Sequence, residues 1–178
     1  MVTRNSVNTY IVPTTANEVT APAQPAFLAY LASDDNNVTG NAANYEVGYN
    51  VIFTEVFDQN ADFSPGVAAT SAATFTAPVT GRYLISASVL MGGITAAMTY
   101  YVFYLVTSNR YYILTINGAN LRTVATAADL CSQTHSTIAD MDAADIFKVG
   151  IRMDGGAGDT ADLLSSDAST SICGELLC

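Results

Sequence analysis

Lysine occurs once in the 178 residues, at Lys148, histidine once, at His135, and tryptophan not at all. Six basic residues stand against 16 acidic ones, for a formal net charge of -10. A chain so poor in cations has little with which to neutralise a phosphate backbone, which excludes nucleic acid as an expected partner. An anionic membrane surface repels it for the same reason. No apolar run approaches the length that spans a bilayer, so no membrane insertion is expected. A lone histidine leaves one candidate base for any Ser-His-Asp or Cys-His arrangement, and its setting, SQTHSTI, is an ordinary alternating polar segment. The expectation is a protein that is not an enzyme and holds no cofactor.

Cysteine is also scarce. Cys131, Cys173 and Cys178 form neither a CxxC pair nor any metal-ligand spacing, and an odd count reads as free thiols of a reducing compartment. The N-terminal stretch carries one early arginine and no continuous apolar segment, so no secretory signal is expected and synthesis is placed in the cytoplasm. The sequon Asn37-Val-Thr39 carries little weight in that setting. Three aspartates on a glycine-rich segment, Asp154, Asp159 and Asp162 in DGGAGDTAD, offer the oxygen ligands calcium favours, but their spacing matches no defined loop. They are a weak calcium candidate beside the plainer reading, a solvated acidic turn.

What the chain has is apolar and small. Half of the residues are hydrophobic and only 12% charged, enough to build one real core. Residues 1–25 stand apart as an extended arm and proline linker: Pro13, Pro22 and Pro25 disfavour helix, and Tyr10, Ile11, Val12 and Pro13 form an apolar knot suited to anchoring. From residue 26 to 178 the pattern is a two-residue alternation broken by Gly, Asn and Asp clusters, with no helical period. Strands are expected at 26–32, 74–78, 82–91, 99–106, 111–116, about 132–139, 146–153 and 171–177. Another is expected across Tyr45, Val47, Tyr49, Val51 and Phe53. DDNNVTGN and the acidic segment at 154–162 read as turns. Such spacing predicts an all-β jelly-roll sandwich.

TYYVFYLV, residues 99–106, is apolar on both faces, with Tyr100, Val102, Tyr104 and Val106 on one and Tyr101, Phe103 and Leu105 on the other. A half-buried strand needs a polar side, so something must cover the second face. One solution is a third layer from the same chain. The other is sister subunits, with Tyr101, Phe103 and Leu105 at the interface.

Phe75-Thr-Ala-Pro-Val-Thr-Gly81-Arg-Tyr83 spaces a phenylalanine, a glycine and a tyrosine as in the globular head of complement component 1q, which shares its jelly roll with tumour necrosis factor. Ser171-Ile-Cys-Gly174-Glu-Leu-Leu177 is similar to that family's closing strand, and Asp145 falls where the family places an acid before a strand. The resemblance spans roughly residues 26–177. It implies a homotrimer in which one sheet of each jelly roll packs against its neighbours, with Phe75, Gly81, Tyr83 and Gly174 as fold-signature positions.

The arm, the low-charge Ala/Thr/Ser/Asn composition, and the want of a collagen-like or heptad stalk point to a structural protein of a virion surface, with a bacteriophage as the expected source. The expected role is a capsid decoration or cement trimer, or a short head spike. Residues 1–25 would dock on the major capsid protein or another virion protein, with adhesion to a host glycan or receptor as a second duty. Two alternatives stand beside it: a tail fibre or spike tip that binds the receptor, and a bacterial lectin-like module.

Overall fold

The structure, a computed structural model, describes residues 23–117 and 129–177. The arm residues Tyr10, Ile11, Val12 and Pro13, and Cys178, lie outside them. The described residues form thirteen strands in two antiparallel sheets, with a single helical turn at Ser166–Ala168.

The first sheet has seven strands: β1 (Ala26–Leu31), β2 (Asp35–Thr39), β4 (Phe53–Asp58), β7 (Gly81–Gly92), β10 (Cys131–Met141), β12 (Ala161–Leu164) and β13 (Ser171–Leu176). The second has six: β3 (Asn44–Glu46), β5 (Phe63–Ser64), β6 (Thr74–Thr76), β8 (Tyr100–Thr107), β9 (Tyr111–Asn117) and β11 (Ile146–Asp154). β7 shows how the alternation is used. Tyr83, Ile85, Ala87, Val89 and Met91 are buried between the sheets, while Leu84, Ser86, Ser88 and Leu90 point away. β13 is the last strand of the sequence and lies between β1 and β7 in the sheet.

One end of the core is an aromatic cluster gathered from six strands. The Phe27 ring stacks on Phe63 at 4.4 Å and on Phe75 at 5.2 Å between centroids; Phe75 meets Phe147 at 5.1 Å and Tyr83 edge-on at 5.5 Å, and Phe53 meets Phe63 edge-on at 6.1 Å. Each such pair contributes ~0.5–1.5 kcal/mol beyond the area it buries. Two of the signature positions are in this cluster. The Tyr83 hydroxyl donates to the Val79 carbonyl at 2.7 Å, closing the turn between β6 and β7. Gly174 is a close-approach position, since a Cβ there would sit 2.8 Å from the Phe27 ring. Gly81 is not the turn residue the sequence suggests: it has no positive φ, and it opens β7 paired to Met141, while residues 78–80 make the bend.

The expected strand from Tyr45 to Phe53 is two strands in different sheets. Gly48, at φ +87°, packs its backbone against Ala73, where a Cβ would approach that side chain to 2.6 Å, and the chain crosses from β3 in the second sheet to β4 in the first. Two segments read as turns each contribute a strand, although residues 155–159 of the acidic one do form the bend. β2 occupies most of DDNNVTGN, and β12 begins at Ala161 inside the acidic segment; the two pair with each other.

The orientation of β8 is a correction. Tyr101, Phe103 and Leu105 lie in the chain's own core, fully buried, and not on a surface for sister subunits. The neighbouring strand decides the matter. β8 pairs with β11 in the register Phe103↔Ile151, Leu105↔Val149 and Tyr101↔Met153, so its odd residues share a face with the apolar ones of β11. Its even residues share a face with Lys148, Gly150 and Arg152. Burying Lys148 and Arg152 between the sheets would cost far more than burying Tyr104 on the outside.

Candidate functional site

The two sheets turn two outer faces to the surroundings, and they are built differently. On the second sheet, Tyr104 lies flat over Gly150, so closely that a methyl group at Gly150 would sit within its ring. Tyr111 stacks on Tyr104 at 4.8 Å, leaving Tyr104 only 3% exposed. Lys148 Nζ reaches Glu46 Oε2 at 2.9 Å along one side, and the Arg152 guanidinium stands 5.7 Å from the centre of the Tyr100 ring along the other. Burial pushes the Tyr104 phenol well above its usual range, with the neighbouring Tyr111 and then the Glu46 carboxylate adding to the effect. The second face of TYYVFYLV is therefore covered largely by side chains of its own sheet. Tyr111, Ile113 and Ile116 remain exposed along β9.

The first sheet's outer face has no such cover. Registers across its strands define three rows. Phe57, Leu28, Cys173, Ser86 and Ser136 make the first; Ala26, Glu175, Leu84 and Ile138 the second; Thr54, Tyr30, Ser171, Ser88 and Thr134 the third. Glu175 is the one charged side chain in these rows. The hydroxyls satisfy each other across strands, Ser136 donating to Ser86 at 2.9 Å and Ser88 meeting Thr134 at 2.8 Å. Ile138 is 56% exposed and Phe57 46%. A groove of about 300 Å³ runs between Leu28, Phe57, Leu84 and Cys173. Burial raises the Cys173 thiol above its usual range, which leaves it a poor nucleophile. An outer alternation broken only by Arg82 and Glu175 was visible in RYLISASVLM and SICGELL, but only strand order shows that these segments lie side by side.

A third feature lies on the flank where β2, an edge of the first sheet, approaches β3 and the turn that follows it. Asp35 is buried, and both its oxygens are engaged: Oδ2 accepts from the Tyr45 hydroxyl and Oδ1 from Asn50 Nδ2 at 3.2 Å. The Asn50 amide donates in turn to the Tyr45 oxygen at 3.0 Å. Burial and the carboxylate push the Tyr45 phenol strongly upward, so it stays a donor. Beside this network opens a polar cleft of about 420 Å³. Sequence reasoning passed over it because DDNNVTGN looks like turn chemistry.

The remaining candidates do not converge. Asp154 is on β11 in the second sheet and Asp162 on β12 in the first; Asp162 accepts the Asn37 amide at 2.7 Å, and Arg152 stands 3.8 Å from Asp154. Asp159 is on the rim of the cleft. Among the described residues no group of three His, Cys, Asp or Glu side chains is placed to hold a metal. His135 points inward from β10, where Nε2 meets the Thr115 hydroxyl and lies 3.5 Å from Gln133 Oε1, with the Phe103 ring at 5.9 Å. Its hydrogen-bond partners among the described residues include no carboxylate, so no triad is assembled. Asp145 precedes β11 as expected and accepts from the Asp142 amide at 2.9 Å and Asn109 Nδ2 at 2.6 Å, pinning two loops together.

Sequence comparison matches the chain to no family and to no curated protein. Solved structures are similar. The crystal structure of murine APRIL at pH 8.0 superposes with a TM-score of 0.54 at 16% identity, covering 86% of this chain and 99% of that one. Murine APRIL at pH 5.0 gives 0.54 at 15% identity over the same shares. The globular domain of zebrafish complement 1qA protein covers 86% of this chain and 98% of its own at a TM-score of 0.48 and 15% identity. At these identities the likeness is one of fold: the chain is an all-β sandwich of two antiparallel sheets that resembles the tumour necrosis factor-like jelly roll.

Proposed function

We propose that the chain assembles as a homotrimer through the outer face of its first sheet. We further propose that the trimer is a structural protein of a virion surface, a capsid decoration or cement protein or short head spike anchored by residues 1–25. The observation that supports assembly is the nearly charge-free face of three rows, with the Leu28, Phe57, Leu84 and Cys173 groove at its centre. Such a face is expensive to keep in water and is what an interface between copies uses. The resemblance to complement 1q and tumour necrosis factor heads supplies the number three, and a closed ring of three removes the face from solvent. On this reading the surface lies on β1, β13, β7 and β10 and not on β8, whose Tyr101, Phe103 and Leu105 are buried in the chain's own core.

Support for the virion role comes from the sequence: an arm with an apolar knot at Tyr10, Ile11 and Val12, and a weakly charged Ala/Thr/Ser/Asn composition around a compact head. Adhesion to a host glycan is a second duty of the same head. A tail-fibre or spike tip, or a lectin-like module, would use the same trimer with the loops as the working surface.

Sedimentation equilibrium of the full chain at micromolar concentration tests the assembly, with a trimer expected and a monomer overturning it. Imaging of purified particles tests the location. Threefold knobs on the shell are expected; knobs confined to the tail support the fibre-tip reading, and their absence from particles defeats both. Removing residues 1–22 leaves a folded trimer that no longer docks; undiminished docking of the truncated protein overturns the anchoring role.

A further inference from the structure

We infer that the cleft beside β2 and β3 binds a neutral saccharide, with a pyranose ring against Tyr49 and its hydroxyls on Asn37, Asn44, Asn50 and Asp159. The inference rests on the adhesive part of the proposed function and is independent of the trimer.

A sugar presents hydroxyls that both donate and accept, together with an apolar C–H face. Side-chain amides carry a donor and an acceptor each, a carboxylate accepts through two oxygens, and an aromatic ring offers an apolar plane. The cleft collects all three. Asn37, Asn44 and Asn50 line it with Asp159 and Tyr49, and the Tyr49 ring is 38% exposed. Its volume of about 420 Å³ falls within the range of small-molecule sites, roughly 300–1,000 Å³.

The walls are held in place before any ligand arrives. Asn50 is tied through its backbone amide to Tyr45 and through Nδ2 to buried Asp35, which leaves its carbonyl oxygen to a ligand. Asn37 adopts a left-handed φ of +59°, fixed by its amide's bond to the Asp162 carboxylate at 2.7 Å. Tyr49 is gripped at both ends, its hydroxyl donating to the Ala69 carbonyl at 3.3 Å and its own carbonyl accepting from the Ala69 amide at 2.7 Å. Among the described residues the side chains of Asn37 and Asn44 and the Asp159 carboxylate have no hydrogen-bond partner. Groups already ordered lose little freedom when they bind.

The charges select against other small ligands. Asp159 and Glu46 are the charged side chains lining the cleft, and Lys148 is committed to Glu46 at 2.9 Å, so phosphate, sulfate or an acidic sugar is disfavoured. Asp35 already gives both oxygens to Tyr45 and Asn50, which leaves too few carboxylates for a divalent cation.

The experiment is a ¹H–¹⁵N NMR titration of the full chain with methyl glucoside, methyl galactoside, methyl mannoside and N-acetylglucosamine, followed by calcium chloride alone. Saturable shifts of the Asn37, Tyr49 and Asn50 amides at millimolar sugar are expected for at least one probe. Weakening of about tenfold is expected in Tyr49→Ala and in Asn44→Ala, both checked for native circular dichroism. No saturable shift with any sugar overturns the inference, as do shifts unchanged in both variants, or shifts produced by calcium and by no sugar. Sedimentation of the same samples reads assembly separately. A monomer that still binds sugar defeats the trimer alone, and a trimer that binds none defeats the cleft alone.

Discussion

The two outer faces of the sandwich start from similar material and end differently. Both are rich in uncharged side chains, yet the β8 strip of the aromatic one is the more nearly closed, while Tyr111, Ile113 and Ile116 stay exposed along β9. On the second sheet a glycine at position 150 creates a bed for Tyr104, Tyr111 lies on top, and two cations are drawn over the flanks. On the first sheet the middle of the rows holds leucine, cysteine, serine and threonine, too short to cover one another, with Phe57 and Tyr30 toward one side, and the surface stays open around the Leu28, Phe57, Leu84 and Cys173 groove. Aromatic content alone therefore does not mark an interface. What counts is whether the neighbours within the sheet are long enough to cover the rings, and whether a glycine leaves room beneath them.

The contrast breaks most severely at Tyr104. Tyr104→Ala removes a ring packed on both sides and should cost ~3 kcal/mol of stability, read by chemical denaturation, while sedimentation is unchanged. Gly150→Ala displaces the same ring and should cost ~1–2 kcal/mol, again without affecting assembly. Leu84→Asp on the opposite face reverses the pattern. The monomer's melting temperature moves little, because the side chain points to solvent there, but association weakens by about a hundredfold or more, seen as a shift to monomer in sedimentation. If Leu84→Asp sediments as wild type while Tyr104→Ala falls apart, the two faces have been assigned the wrong way round.

Alkali sharpens the comparison with a smaller effect. Burial raises the Tyr45, Tyr101 and Tyr104 phenols, so the folded state favours their neutral form. That contribution to stability is complete below the unfolded tyrosine value of roughly 10 and is lost as pH rises above it. A spectrophotometric titration should show these three tyrosines ionising late and together with unfolding; three phenols titrating normally in a folded protein would contradict the closed packing. The smallest change is expected from Lys148→Met. Its ion pair with Glu46 is partly exposed, and its loss should cost no more than ~0.5–1 kcal/mol, diminishing in high salt.

The sequence made the fold legible and the surfaces much less so. Alternation in RYLISASVLM and IFKVGIRM marks both strands and their inner faces, and the Phe75 to Tyr83 spacing places two rings that do meet in the core. β2 escaped because an edge strand needs few apolar residues, and its Asp, Asn and Thr content is indistinguishable from a turn until a partner is known; β12, held between β2 and β7, escaped because ADLL is too short a run to show an alternation. The face of β8 was misread for a related reason. A strand apolar on both sides carries no orientation of its own, and the decisive residues, Lys148 and Arg152, lie more than forty positions away on β11. The polar cleft was hidden for a third reason: Asp35, Tyr45 and Asn50 are brought together by a crossing between sheets that the Tyr45–Phe53 alternation seemed to deny.

The place of β13 has a consequence for how the protein is made. It inserts between β1 and β7, and the Leu176 amide bonds to the Pro25 carbonyl beside the start of the domain. During synthesis β1 precedes β13 by about 140 residues and waits, one flank unfilled, until residue 176 has left the ribosome. The middle of the first sheet, between β1 and β7, closes only after residues 171–176 have been made. An abridged chain that stops at the 166–168 turn is therefore a candidate for rapid clearance by cellular quality control, not a smaller working head.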